Sequence, residues 1–343
     1  MSQVSKDLEQ ILSETEASLR TITNQSVLLT GGTGFVGTWL TQSWSFGARR
    51  FGSKGRLVIL SRDPEKFVRL HGPFPDHVSF IQGDIRSLKL TGQGAFDLVV
   101  HAATPARATI NKDSPSEMLS IILDGQRNLI EQVSKNHRPR VLFTSSGAVY
   151  GPQPVDVDCV PETQLTGPDP LNPLAAYHEG KRMAELLLSI AAQQGVIENV
   201  VARLFAFVGP HLPLDEHFAV GNFIRDGLAG CPIIVNGDGL TVRSYQYPTD
   251  MVRWLWTLAD KALPQRAYNV GSDEGHSMRE IAVAVGEACG VTEVQIRGVP
   301  NALKPIDRYV PSIQRVRDEL GLQNHVSFSE ALRRTIASHR GFL

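Results

Sequence analysis

Residues 27 to 37 read VLLTGGTGFVG, an apolar run that leads straight into Gly31, Gly34 and Gly37. Glycines at that spacing, directly after a strand and at the opening of a helix, permit a tight turn and let the backbone approach a pyrophosphate, whose charge the helix N-terminus favours. A bare β-to-α turn is the bland alternative, and the full strand-turn-helix setting weighs against it. The same junction constrains the rest of the chain. The apolar runs SVLLT (26–30), RLVIL (56–60), VSFIQ (78–82), FDLVVHAA (96–103), RVLFTSS (140–146) and NVVARLF (199–205) alternate with helical stretches. That is the rhythm of a parallel sheet covered on both faces.

The expected fold class is therefore α/β, a Rossmann doubly wound parallel sheet with a smaller mixed α/β C-terminal substrate lobe. Residues 25–205 are expected to form the NAD(P)-binding domain. Residues 206–343, where Pro and Gly become frequent and strands short, form mainly the substrate-binding lobe, with some segments returning to the Rossmann body. Residues 1–24 carry Leu8, Ile11, Leu12, Leu19 and Ile22 among charges, which predicts an amphipathic helix packed on the outside of the body or on a partner subunit. The 34 basic and 35 acidic residues nearly cancel, so neither nucleic acid nor an anionic membrane is an expected partner. Cys159, Cys231 and Cys289 are widely spaced, with no paired His, and indicate neither a disulfide framework nor a metal site. No stretch reaches the ~18 apolar residues of a membrane span, and the expected location is cytoplasmic.

The second strand decides the expected cofactor. A carboxylate at its end accepts from the ribose hydroxyls in NAD-binding versions of this turn. Here the segment reads LVILSRDPEKF, with Ser61 in that place and Arg62 after it. A hydroxyl and a guanidinium suit a 2′-phosphate, which an acid would repel. NADP(H) is the first choice of cofactor, and Asp63 keeps NAD(H) open. Asp84, in QGDI, is placed to accept from the adenine amine or to serve as a simple turn residue. Further on, AAYHEGKRMAELLL puts Tyr177 and Lys181 on one helix face, where an ammonium beside a phenol favours phenolate and suits it to acid/base work.

Together with HAAT (101–104) and TSSGAVYG (144–151), these motifs make the chain resemble the extended short-chain dehydrogenase/reductase family, the NAD(P)-dependent epimerases and dehydratases of nucleotide-activated sugars. The resemblance covers roughly residues 25–340. It implies that Ser146 hydrogen-bonds the reacting oxygen, that Tyr177 is the acid/base, and that Lys181 holds the nicotinamide ribose and tunes Tyr177. Ser145 is a second candidate hydroxyl for the substrate. The implied cofactor set is Gly31, Gly34, Phe35, Val36, Gly37, Ser61, Arg62, Asp84, Ile85, Ala102, Ala103 and Thr104, with Tyr177 and Lys181.

Family dehydratases typically carry an Asp-Glu pair just after the catalytic hydroxyl, and decarboxylases keep a Glu. Here Gly147 and Ala148 occupy those places and move no proton. What remains is an epimerase or ketoreductase acting at one carbon, C4 by resemblance, of a nucleoside-diphosphate sugar. A 4,6-dehydratase with its acids recruited from Asp156, Asp158 or Glu162 is the alternative. A catalytically inactive NAD(P)-sensing regulator is the alternative of another class, and the retained Tyr177 and Lys181 argue against it. In the second lobe, RLFAFVGPHLP (203–213) and VNGDGLTVRSYQYPTD (235–250) resemble the family's diphosphate-gripping segments. Arg243 and Arg308 are the candidate diphosphate ligands, and His217, Asn222 and Phe223 the candidate cleft lining. Ala206 stands where many relatives have Asn. Family members are often dimers through a four-helix contact, so a homodimer is expected.

Overall fold

The computed structural model describes residues 2–104, 108–135, 137–216, 218–301 and 303–340. The chain opens with α1 (Gln3–Ile22) and then alternates β1 (Ser26–Thr30), α2 (Phe35–Phe51), β2 (Arg56–Ser61), α3 (Pro64–His71) and β3 (Val78–Gln82). There follow β4 (Leu98–His101), α4 (Ala108–Asp113), α5 (Pro115–Val133), β5 (Arg140–Ser146), α6 (Ala176–Gln193) and β6 (Glu198–Leu204). The later part holds α7 (Ala219–Leu228), β7 (Ile233–Val235), β8 (Val242–Arg243), α8 (Pro248–Lys261) and β9 (Arg266–Val270). It ends with β10 (His276–Ser277), α9 (Met278–Cys289), β11 (Val294–Ile296), β12 (Arg308–Tyr309), α10 (Gln314–Leu320) and α11 (Phe328–Arg340).

Seven strands form one sheet in the order β3-β2-β1-β4-β5-β6-β9, and every pair in it is parallel. Such strands are buried on both faces, which is why they read as continuous apolar runs. Val27 and Leu29 of β1 belong to a core shared with Trp39 and Trp44 of α2 and Trp254 of α8. Leu28, between them, points to the opposite core with Met118 and Ile122 of α5 and Leu188 of α6. The strand order reverses between β1 and β4, and ligands of such sheets bind in the crevice beyond the carboxyl ends at that switch point. The last strand of the sheet comes from residues beyond 205, so the chain returns to the first body after leaving it.

The N-terminal helix is a second layer. Every residue of α8 from Pro248 to Ala259 is buried, and α1 supplies the cover on its outer side, with Ile11, Leu12, Leu19 and Ile22 all buried. Asp7, fully buried, accepts from the Tyr247 hydroxyl at 2.6 Å and from Arg334 of α11 at 3.2 Å. Glu14 meets Arg253 at 3.6 Å and His325 at 3.2 Å. Glu14, Asp250 and His325 bring ligand atoms within 4.8 Å of one another, but Arg253 bonds Asp250 and His325 and already supplies the positive charge there.

The smaller lobe is built from short pieces: α7, α9 and the parallel pair β7–β11, beside a small sheet ordered β10-β8-β12. In that sheet Arg243 lies opposite Tyr309 on one side and His276 on the other.

Candidate active site

The switch point gathers the loops after β1, β4 and β5. A Cβ on Gly31 would lie 2.3 Å from the Ala102 carbonyl oxygen, and one on Gly37 would lie 2.2 Å from that of Gly31, so these two glycines are demanded by the protein's own packing. Gly34 differs. Its Cβ would meet only the Gly31 oxygen at 3.5 Å, an ordinary contact. Among the described residues nothing near it requires glycine, and the space beside it is open to close approach of a ligand. Gly34 is also the N-cap of α2 and offers no side-chain cap, and the first turn holds no acid. The amides of Phe35, Val36 and Gly37 thus head an uncapped helix suited to a pyrophosphate.

Beside this turn, β5 and α6 bring the candidate residues Ser146, Tyr177 and Lys181 together. Lys181 of α6 is buried, and its Nζ donates to Thr104 Oγ1 at 2.9 Å and to the Thr144 carbonyl at 2.7 Å. That Nζ also lies 4.6 Å from the centre of the Phe143 ring. Burial pushes its pKa down to about 7. Ser146, at the end of β5, accepts from the Ala148 amide at 3.1 Å and stands 3.4 Å from the Tyr309 hydroxyl. Tyr177 is within hydrogen-bonding reach of the same Ser146, and its backbone amide is held by Asn111 at 2.9 Å. Burial raises the Tyr177 phenol above its ordinary value and the Ser146 bond opposes the rise. The expected tuning by Lys181 is thus not expressed in the chain alone, because the ammonium is turned onto Thr104 and Thr144 and stays 5.9 Å from the centre of the phenol ring.

A buried hydroxyl, a phenol and an ammonium lie beyond a glycine-turned helix N-terminus, and the family model described as "NAD dependent epimerase/dehydratase family" matches residues 27–271. The chain belongs to this family. It is an NAD(P)-dependent extended short-chain dehydrogenase/reductase. This epimerase/dehydratase family member is 28% identical to UDP-glucuronic acid decarboxylase 1 of Arabidopsis thaliana over 92% of its own length and 69% of that protein's. It is also 28% identical to the Thermus thermophilus UDP-glucose 4-epimerase, solved in complex with NAD, with a TM-score of 0.76 over 93% of this chain and 100% of that one. The Thermotoga maritima UDP-glucose 4-epimerase solved with UDP-glucose shares the fold, with a TM-score of 0.78 at 22% identity over 92% of this chain and 99% of that one.

Several expected site residues of this epimerase/dehydratase family member are engaged elsewhere. Ser145 points away from Ser146, as strand alternation requires, and donates to Glu185 Oε1 at 2.5 Å. Asp84 caps the short turn at residues 85–87 and is gripped twice by Arg86, whose guanidinium holds the carboxylate below its usual range. Ile85 is buried in the core against Gly125 of α5. Ser61 is buried and shares a 3.0 Å hydrogen bond with Thr33. Arg62 is exposed, and among the described residues its guanidinium has no hydrogen bond or ion pair. Asp63 accepts from the Lys66 amide as the N-cap of α3.

In the second lobe, Asn222 and Phe223 line an open cavity of about 720 Å³ with Asn236, Asp238, Thr241 and Arg297. Asn222 accepts from Arg225 at 3.1 Å, and His217 lies outside the described residues. Arg243 pairs with Asp307 at 2.6 Å, and Arg308 stands 3.8 Å from the exposed Asp158. Tyr309 was not among the expected site residues. It follows Arg308 in IDRYVPS, and strand alternation sends its side chain the other way, onto Phe205 at 4.6 Å and toward Ser146. Glu185 was missed as well, although its place one turn beyond Lys181 on the helix of Tyr177 is a readable signal.

Proposed function

We propose that the protein is an epimerase or ketoreductase that works at one hydroxyl or keto carbon, C4, of a nucleoside-diphosphate sugar. Tyr177 gives or takes the proton of the reacting oxygen, and Ser146 holds that oxygen by a hydrogen bond. When bound, the nicotinamide supplies or takes the hydride at the same carbon. Lys181 would hold the nicotinamide ribose, and the α2 N-terminus the pyrophosphate. The cavity lined by Asn222 and Phe223 takes the nucleotide, with Arg243 and Arg308 toward the diphosphate. On this reading residues 25–205 carry the cofactor and residues 206–343 mainly the sugar nucleotide.

Similarity alone does not choose the reaction, since decarboxylase and epimerase relatives stand at the same 28% identity. The observation that supports this choice is at Gly147. A Cβ there would lie 2.5 Å from the Phe205 ring, so no acidic side chain has room at the place next to Ser146. Ala148 follows it and titrates nothing. Among the carboxylates named for recruitment, Glu162 accepts from the Asn269 amide and lies 3.9 Å from Arg315, Asp158 stands beside Arg308, and Asp156 is exposed. A panel of nucleoside-diphosphate sugars in deuterium oxide, followed by NMR, is expected to show inversion or reduction at one carbon. A 4-keto-6-deoxy product with deuterium at C5, or carbon dioxide and a pentose from a hexuronic acid, would refute the reading.

The free guanidinium of Arg62 supports NADP(H) as the preferred cofactor, with NAD(H) second. Calorimetric titration of cofactor-free protein should find NADP(H) the tighter ligand, and Arg62→Ala should weaken it selectively. Equal affinities in the wild type, or equal losses in the variant, go against the assignment. Met183, Leu186 and Ile190 are exposed along one face of α6, which supports a homodimer through α5 and α6. No helix among the described residues is long and apolar enough to cross a membrane, and the cytoplasm is the proposed location.

A further inference from the structure

The second hydroxyl of the TSS run opens onto a buried polar network. Glu185 of α6 receives Ser145 Oγ at 2.5 Å on one oxygen and is held in a fork by Arg203 of β6, at 3.0 Å from Nε and 2.7 Å from Nη2. Arg203 also donates to the Tyr150 hydroxyl at 2.9 Å, and that hydroxyl donates to Asn269 of β9 at 2.7 Å. The side chains of Glu185 and Arg203 are 15% and 16% exposed, so the pair is largely out of water, where a two-point fork is strong and directional. The network ties α6 to β5, β6 and β9. It does so four residues from Lys181 and eight from Tyr177, on the helix that carries both.

We propose that Glu185 and Arg203, with Ser145, form a buried clamp that positions Tyr177 and Lys181 against Ser146 and the cofactor. The proposal rests on the reading of Lys181 as a cofactor ligand. Two other polar ties of α6 to β5 and the segment after it run to backbone carbonyls, from Lys181 to Thr144 and from Arg182 to Val149, whereas the clamp joins α6 to side chains of β5 and β6. Ser145 is thereby a positioning residue and not a substrate ligand.

The clamp also carries the charge nearest Lys181. The titratable groups around that ammonium are His101 of β4, Tyr177 and Glu185 of α6 and, behind Glu185, Arg203 of β6. Burial and Lys181 itself push His101 down to about 3, which keeps it neutral. Burial raises the Tyr177 phenol. Glu185 is left to favour the ammonium, against the desolvation that lowers it.

The test is the affinity for NADH by fluorescence between pH 6 and pH 9, pH values chosen to span roughly the lowered Lys181 range. An ammonium donates to ribose hydroxyls and an amine does so more weakly, so affinity should fall as pH rises through the Lys181 midpoint. Glu185→Gln is expected to move that midpoint down by about half a unit or more, because a favourable charge is lost. Glu185→Asp should restore most of it. Lys181→Met should abolish the pH dependence. If Lys181→Met keeps the wild-type profile, the cofactor reading of Lys181 fails. If Lys181→Met flattens it and Glu185→Gln leaves the midpoint in place, the clamp fails and the reading stands. Should Glu185→Gln not fold, Ser145→Ala removes one hydrogen bond and is expected to weaken NADH about threefold. Unchanged affinity in that variant overturns the proposal.

Discussion

Tyr177→Phe is expected to lose turnover by about 10²- to 10⁴-fold, the usual worth of a positioned acid/base, while its fold and cofactor affinity are retained. The substitution removes one oxygen. Ser146 keeps its amide bond from Ala148 and its contact with Tyr309, and Lys181 keeps Thr104 and the Thr144 carbonyl. The ring remains to fill its place against the second core. Burial raises the phenol above its ordinary value and so favours its protonated form, which on the proposed reading is the acid toward a ketone. Steady-state rates with the substrate found by the sugar panel decide the matter, and a loss below threefold would give the proton to another residue.

Gly147→Ala should damage both the fold and the site. The added carbon would lie 2.5 Å from the Phe205 ring, and that ring cannot retreat freely because Tyr309 packs on it at 4.6 Å. Overpacking of this kind costs about 1–3 kcal/mol. Turnover should fall with stability, since Tyr309 carries the displacement toward Ser146. The clash predicts its own relief. In a Phe205→Leu background the same alanine should cost little, so a double-mutant cycle by denaturant unfolding should show coupling of about 1 kcal/mol or more. An equal loss in both backgrounds would mean that the glycine answers to something other than Phe205, and the steric case against an acid at this place would fall with it.

The strands of the main sheet were legible because buried parallel strands are apolar without interruption, and β1, β2, β3 and β5 lie where those runs stand in the sequence. Ser146, Tyr177 and Lys181 could be proposed because three chemistry-bearing residues kept company with a glycine turn, and the fold sets Tyr177 within hydrogen-bonding reach of Ser146. Ser145 shows what a motif conceals. Two adjacent hydroxyls look equivalent as letters, yet alternation along a strand sends only one of them to a given face. Tyr309 and the Glu185–Arg203 pair were harder, since each depends on a partner 18 or more residues away. Asp84 was read from its place in QGDI after the third strand and Ile85 through the resemblance, and their side chains answer first to Arg86 and to the core, which no motif reports.

The placement of α1 bears on how the molecule is made. This helix precedes in the chain the residues whose surfaces it seals, 248–261 and 328–340. Part of its apolar face can rest early on α2, but Asp7 has no Tyr247 or Arg334 to receive it until those residues have been synthesised. Until then the helix keeps the rest of that face unburied, the kind of surface that recruits chaperones or sticks to a neighbour. Its final seating is a closing latch, engaged only once α8 and α11 have emerged.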